Sequence, residues 1–131
     1  MTFVDTSGWF ALFVSSDPNH IEALSWLRSN EESLITTNYI VDETLTLLRA
    51  RGNSRKAIEL GDKFFDGQLS QIHLLSESEI FEAWMVFRTF ADKQWSFTDC
   101  TSKVLIDSLS IRTALAFDKH FSQFGNVTNV I

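Results

Sequence analysis

Short apolar runs of strand length alternate along this chain with longer stretches of helical period, and that alternation limits the folds open to it. The runs are Thr2 to Val4, Leu34 to Thr37, Gln71 to Leu75, Thr113 to Phe117 and, as an edge strand, Val127 to Ile131. Ser7 is placed to cap a helix carrying Trp9, Phe10, Leu12 and Phe13, and Asp17-Pro18 opens a second with Ile21, Leu24 and Leu27 on one stripe. Asn38 reads as the cap of a helix through about Arg51, stopped by Gly52-Asn53, and Ser54 opens another that ends near Gly67. Two further helices are expected over Glu77 to about Lys93 and Thr98 to about Ile111. Strands joined through helices pair in parallel by right-handed crossovers, so the expected fold is α/β, a three-layer α/β/α sandwich around a central, mainly parallel sheet.

The length of 131 residues suits one core, and a single domain over residues 1–131 is expected. The 44% hydrophobic content, with one Pro and five Gly, is that of a packed domain. One cysteine, Cys100, excludes an internal disulfide and a paired-cysteine metal site. The amino terminus has no basic lead, and no apolar run approaches the ~18 to 20 residues of a membrane span, so a cytoplasmic protein without a membrane partner is expected. Eleven Lys and Arg against 17 Asp and Glu give a net charge of −6, which by itself argues against nucleic acid as a partner. The placement of the acids argues otherwise.

In parallel sheets, ligands bind outside the carboxyl ends of the strands, so an acid just after a strand carries more weight than one inside a helix. Asp5 follows the first strand and Asp118 follows the run ending at Phe117; parallel strands would bring both to the same rim. Asp99 opens a helix, where an acid with Thr98 as cap could simply complement the helix dipole. Glu43 lies between Ile40 and Leu47 on one helix face, with no Lys or Arg at i±3 or i±4, so its partner must be a metal or another segment. Asp42, about 100° away, faces solvent. Four acids from separate segments, without a Cys or His cluster, suit Mg2+ or Mn2+ and the hydrolysis of phosphodiesters. Four like charges together should raise some carboxyl pKa values or leave the metal-free site loose.

Phe3-Val4-Asp5-Thr6-Ser7, Val41-Asp42-Glu43-Thr44-Leu45, Phe97-Thr98-Asp99-Cys100 and Ala116-Phe117-Asp118-Lys119-His120-Phe121 resemble, in order and spacing, the four acidic motifs of PIN-domain nucleases, and within them the VapC-type toxin branch. The resemblance spans essentially the whole chain. It implies a PIN-like sandwich and a Mg2+- or Mn2+-dependent endoribonuclease, the toxin of a type II toxin-antitoxin pair, cutting single-stranded or looped RNA. Asp5, Glu43, Asp99 and Asp118 would be both metal ligands and catalytic acids, with Ser7 and Thr98 supporting them. Cys100 stands where Ala is more usual, and Ala116 stands where a Thr or Asn would support Asp118. A homodimer and a cognate antitoxin protein are also implied.

Arg49, Arg51, Arg55 and Lys56 form the densest basic stretch and are candidates for RNA phosphate contacts. His120, two residues from Asp118, could reach a phosphate or water but reads first as an ordinary surface residue of a loop; His20 and His73 carry no signal. The apolar residues of Glu77 to Lys93 spread beyond one stripe, which suits burial on two sides or an interface. The alternative function is a catalytically weak PIN-like domain that binds RNA or a partner; the presence of all four acids argues against it. A phosphorylated receiver domain would need a pair of acids after the first strand, where this chain has one, and no nucleophile elbow for acyl transfer is present. Without the four motif acids, 13 acids face 11 bases, so most of the excess charge belongs to the expected site.

Overall fold

The computed structural model describes residues 1–131. Five parallel strands, β1 (Thr2–Val4), β2 (Leu34–Thr37), β3 (Gln71–His73), β4 (Thr113–Leu115) and β5 (Thr128–Asn129), form one sheet in the order β3-β2-β1-β4-β5. The central strands are buried on both faces: Phe3, Val4, Ile35, Ala114 and Leu115 are in the core, as the apolar runs require of a sheet covered on two sides. Edge strand β3 is only partly covered. The α/β architecture and the parallel pairing are those expected from the sequence.

Six α-helices cover the sheet: α1 (Thr6–Phe13), α2 (His20–Ser29), α3 (Asn38–Ala50), α4 (Ser54–Phe65), α5 (Glu77–Thr89) and α6 (Phe97–Ser108). The chain steps one way from β1 to β2 to β3, then returns to β4 beyond β1. Right-handed crossovers therefore carry α1 to α4 over one face, and α5 and α6 over the other. In agreement, α1 packs on α2 and α3, α3 on α4, and α5 on α6.

Several boundaries differ from the sequence expectation, each for a local reason. Asp5, not Ser7, precedes the first turn of α1, in an extended conformation. Thr37 caps α3 by accepting from the Ile40 amide at 3.1 Å, while the Asn38 side chain accepts from the Leu75 amide at 3.0 Å and so fastens the end of β3. Helix α6 is capped by Ser96 rather than Thr98, through a reciprocal Ser-x-x-Asp cap with Asp99. It ends early because Ser110 takes φ 52° and Ile111 bonds back to the Ile106 carbonyl, a Schellman closure. Helix α5 stops at Thr89, short of Lys93.

Gly8 determines how closely α1 approaches the sheet. A Cβ there would run into the Leu115 carbonyl oxygen and touch Val4, so only glycine lets the first turn of α1 lie against the end of β4. That approach brings Thr6 and Ser7 beside the segment leading to Asp118.

Candidate active site

The strand order reverses between β1 and β4, and Asp5 and Asp118 leave those two strands on one rim. The Asp5 amide donates to Leu115 O at 3.2 Å, extending the pairing to the acid itself. Glu43 arrives from α3 and Asp99 from the first turn of α6. All four line one pocket, with Thr6, Ser7, Ser96 and His120 among the other lining residues. The pocket lies at the switch point where open parallel sheets bind their ligands.

Burial grades across the site. Asp5 and Asp99 are buried, Glu43 is partly covered, and Asp118 stands at the open edge. Burial above all, helped by the neighbouring charges of Asp99 and Glu43 and opposed by the hydrogen bonds from the Thr6 amide and the Ser7 hydroxyl, pushes the Asp5 carboxyl up to about 7. The site thus holds a carboxylate that water does not solvate and no Lys or Arg neutralises. A divalent cation with oxygen ligands fits that donor set, and Asp5, Glu43, Asp99 and Asp118 could hold it.

Hydroxyls and amides orient the acids. Ser7 Oγ donates to Asp5 Oδ2 at 3.1 Å and accepts from the Phe117 amide at 2.9 Å, so one hydroxyl ties the first acid to the approach of the fourth. Ala116 offers no side-chain support to Asp118; its backbone is held instead by the Asn129 amide side chain. Thr6 Oγ1 donates to Glu43 Oε1 at 2.5 Å, the partner from another segment that the helix face demanded. Asp99 Oδ2 accepts from the Ser96 amide at 2.9 Å. Thr98 is not among the lining residues; its carbonyl accepts from Thr101 Oγ1, and Ser96 occupies the supporting position assigned to it.

His120, read from sequence as an ordinary loop residue, enters the site. Its Nδ1 lies 2.9 Å from Asp99 Oδ2 and 3.2 Å from Asp118 Oδ1. The spacing Asp118-Lys119-His120 was the available signal, since a 3-10 turn (Lys119–Phe124) following Asp118 folds the +2 side chain back over the acid. Thr6 and Ser96 carried no such signal. Asp17, which the sequence places only as the cap of a helix start, is a further acid lining the pocket.

The basic stretch divides. Arg51 lines the acidic pocket, its guanidinium 5.0 Å over the Phe10 ring. Arg49 lines the groove between α3 and α4 instead. Lys56 pairs with Glu59 at 3.0 Å, and Arg55 lies in the field of the same carboxylate. No helix is long and apolar enough to cross a membrane.

The pattern of the PIN domain family matches residues 2–127. The chain is 32% identical over 127 residues to the 23S rRNA-specific endonuclease VapC20 of Mycobacterium tuberculosis (strain ATCC 25618 / H37Rv), covering 97% of this chain and 96% of that protein. It is 30% identical over 129 residues to a VapC ribonuclease of Archaeoglobus fulgidus, covering 91% of this chain and 78% of that one. The crystal structure of M. tuberculosis VapC20, titled a sarcin-ricin loop cleaving toxin, superposes with a TM-score of 0.90 at 29% identity, covering 97% of each chain. With its parallel sheet, its switch-point acids and these relatives, the chain belongs to the PIN domain family.

Proposed function

We propose that this protein is a Mg2+- or Mn2+-dependent endoribonuclease that hydrolyses RNA phosphodiester bonds, and the toxin of a type II toxin-antitoxin pair. The observation that carries the reading is the convergence of Asp5, Glu43, Asp99 and Asp118 on one pocket at the switch point. These four are the proposed metal ligands and catalytic acids. Ser7 is the supporting hydroxyl, with Ser96 in the place first given to Thr98.

When bound, a divalent ion supplies Lewis acidity, polarising the phosphoryl group and stabilising the charge that builds on it. The protein's own part is positioning. Ser7 and Thr6 fix the carboxylates of Asp5 and Glu43, and Ser96 fixes that of Asp99. Burial of Asp5 keeps the base of the site dry, where charges act most strongly. Arg51, braced on Phe10, is the proposed phosphate contact nearest the acids. Arg49, Arg55 and Lys56 would act further along the RNA backbone.

The relatives' names make 23S ribosomal RNA, and within it the sarcin-ricin loop, the first substrate to assay. The same reading includes a homodimer, supported by exposed Phe81, Trp84 and Met85 on α5, together with a cognate antitoxin and a cytoplasmic site of action. The deciding experiment incubates the protein with ribosomal RNA, first in chelator and then with Mg2+ or Mn2+ added back. Discrete cleavage products that need the added ion are expected. Equal cleavage in excess chelator, or none with either ion, would refute the proposal and, in the second case, favour a domain that binds without cutting.

A further inference from the structure

We propose that His120 Nδ1 is itself a ligand of the divalent ion, alongside Asp99 and Asp118, and that this nitrogen biases the centre toward Mn2+ over Mg2+. The inference rests on the metal-centre reading above and adds to it a donor that is not oxygen.

The geometry on which it stands is local. Nδ1 lies 2.9 Å from Asp99 Oδ2 and 3.2 Å from Asp118 Oδ1, and one ligand atom from each of the three residues falls within 4.8 Å of the others. Neighbouring ligands of an octahedral ion with bonds of about 2.1 Å stand about 3.0 Å apart, so the three groups are spaced as ligands on one side of such an ion. A neutral imidazole nitrogen has one proton or one lone pair. Two carboxylate oxygens from different elements converge on this one atom, and a single Nδ1–H serves one of them well. A cation among the three satisfies all of them at once.

The ring is placed before any ion arrives. The Asp118 carboxylate accepts from the His120 amide at 2.9 Å, which fixes the start of the 3-10 turn. Phe121 and Phe124 of that turn are buried, with Phe121 stacked on Phe3 of β1 at 5.9 Å between ring centroids. His120 therefore hangs from a turn anchored in the core. Mg2+ strongly prefers oxygen ligands, whereas imidazole suits transition-metal ions, so exchanging an oxygen donor for this nitrogen favours Mn2+.

The test uses the full chain, freed of metal, with Mn2+ alone or Mg2+ alone as probe. Pulsed electron paramagnetic resonance of substoichiometric Mn2+ reads coordinated nitrogen directly, as 14N modulation of the spin echo. Modulation is expected in the wild-type protein and its loss in His120→Ala. By calorimetry, His120→Ala should weaken Mn2+ at least about tenfold while changing Mg2+ much less, and His120→Asp should move preference toward Mg2+. Mn2+ bound to the wild type without 14N modulation, or an unchanged Mn2+ to Mg2+ ratio in both variants, overturns the inference and leaves the metal centre standing. Failure of Mn2+ to bind, or binding indifferent to Asp99→Asn, overturns the metal-centre reading and this inference with it.

Discussion

The Ser7 hydroxyl accepts from the Phe117 amide at 2.9 Å, fastening the first turn of α1 to the segment that leaves β4. Because the same oxygen donates to Asp5, the acids after β1 and β4 are held in register by one side chain. Ser7→Ala deletes both bonds. Its expected effect is a loss of about 1 kcal/mol in stability, and a fall in RNA cleavage of roughly tenfold or more at saturating metal. Urea unfolding beside single-turnover cleavage checks both.

Two glycines should respond in opposite directions to alanine. Gly8→Ala forces a methyl into the Leu115 carbonyl, and a cost of about 3 kcal/mol is expected, with separation of Asp5 from Asp118. Gly61, inside α4, has only Leu45 methyl groups at 3.7 Å in ordinary contact, so Gly61→Ala should stabilise by up to about 1 kcal/mol. Thermal melts of the two variants compare them directly.

The raised Asp5 carboxyl makes metal-free stability depend on pH. Its pKa of about 7 in the folded chain exceeds the ordinary aspartate value of 3.8, so the folded state holds the proton more tightly. The resulting stability is fully present below about pH 4 and is lost as pH rises through about 7. Between pH 5 and 8 this group should cost about 2 to 3 kcal/mol in chelator, and Asp5→Asn should abolish that part of the slope. Denaturant titrations of both proteins at the two pH values measure it.

Arg51 and Lys56 should separate in their salt dependence. Arg51 lines the acidic pocket, whereas Lys56 is paired with Glu59. Arg51→Ala should weaken RNA binding and lower the log–log salt slope by about 1, and Lys56→Ala should do less. Binding of a catalytically inactive Asp99→Asn background to labelled RNA across a salt series distinguishes them.

Much of the site was legible because its signals are local. Asp5 and Asp118 stand directly after strand-like runs, and the period of α3 turns Glu43 toward Ile40 and Leu47. Contacts that depend on loop paths were not legible. His120 reaches Asp99 only because the turn after Asp118 is 3-10 and anchored by Phe121, and Thr6 meets Glu43 only because Gly8 lets α1 close on the sheet. The caps of α3 and α6 slipped by one and two residues, to Thr37 and Ser96, since several neighbouring hydroxyls and amides could each have served. On α5 the surplus of apolar residues suited burial on two sides or an interface; within the helix only Ala83 is buried, and Phe81, Trp84, Met85 and Phe87 are exposed.

Asp5→Asn tests the metal-dependent centre most directly, because it separates catalysis from folding. The substitution removes a buried charge and keeps the shape, so the metal-free variant at pH 8 should be at least as stable as the wild type. RNA cleavage with Mg2+ or Mn2+ should nonetheless fall by at least about a hundredfold. A stably folded Asp5→Asn protein that cuts RNA at the wild-type rate would contradict the assignment of these acids.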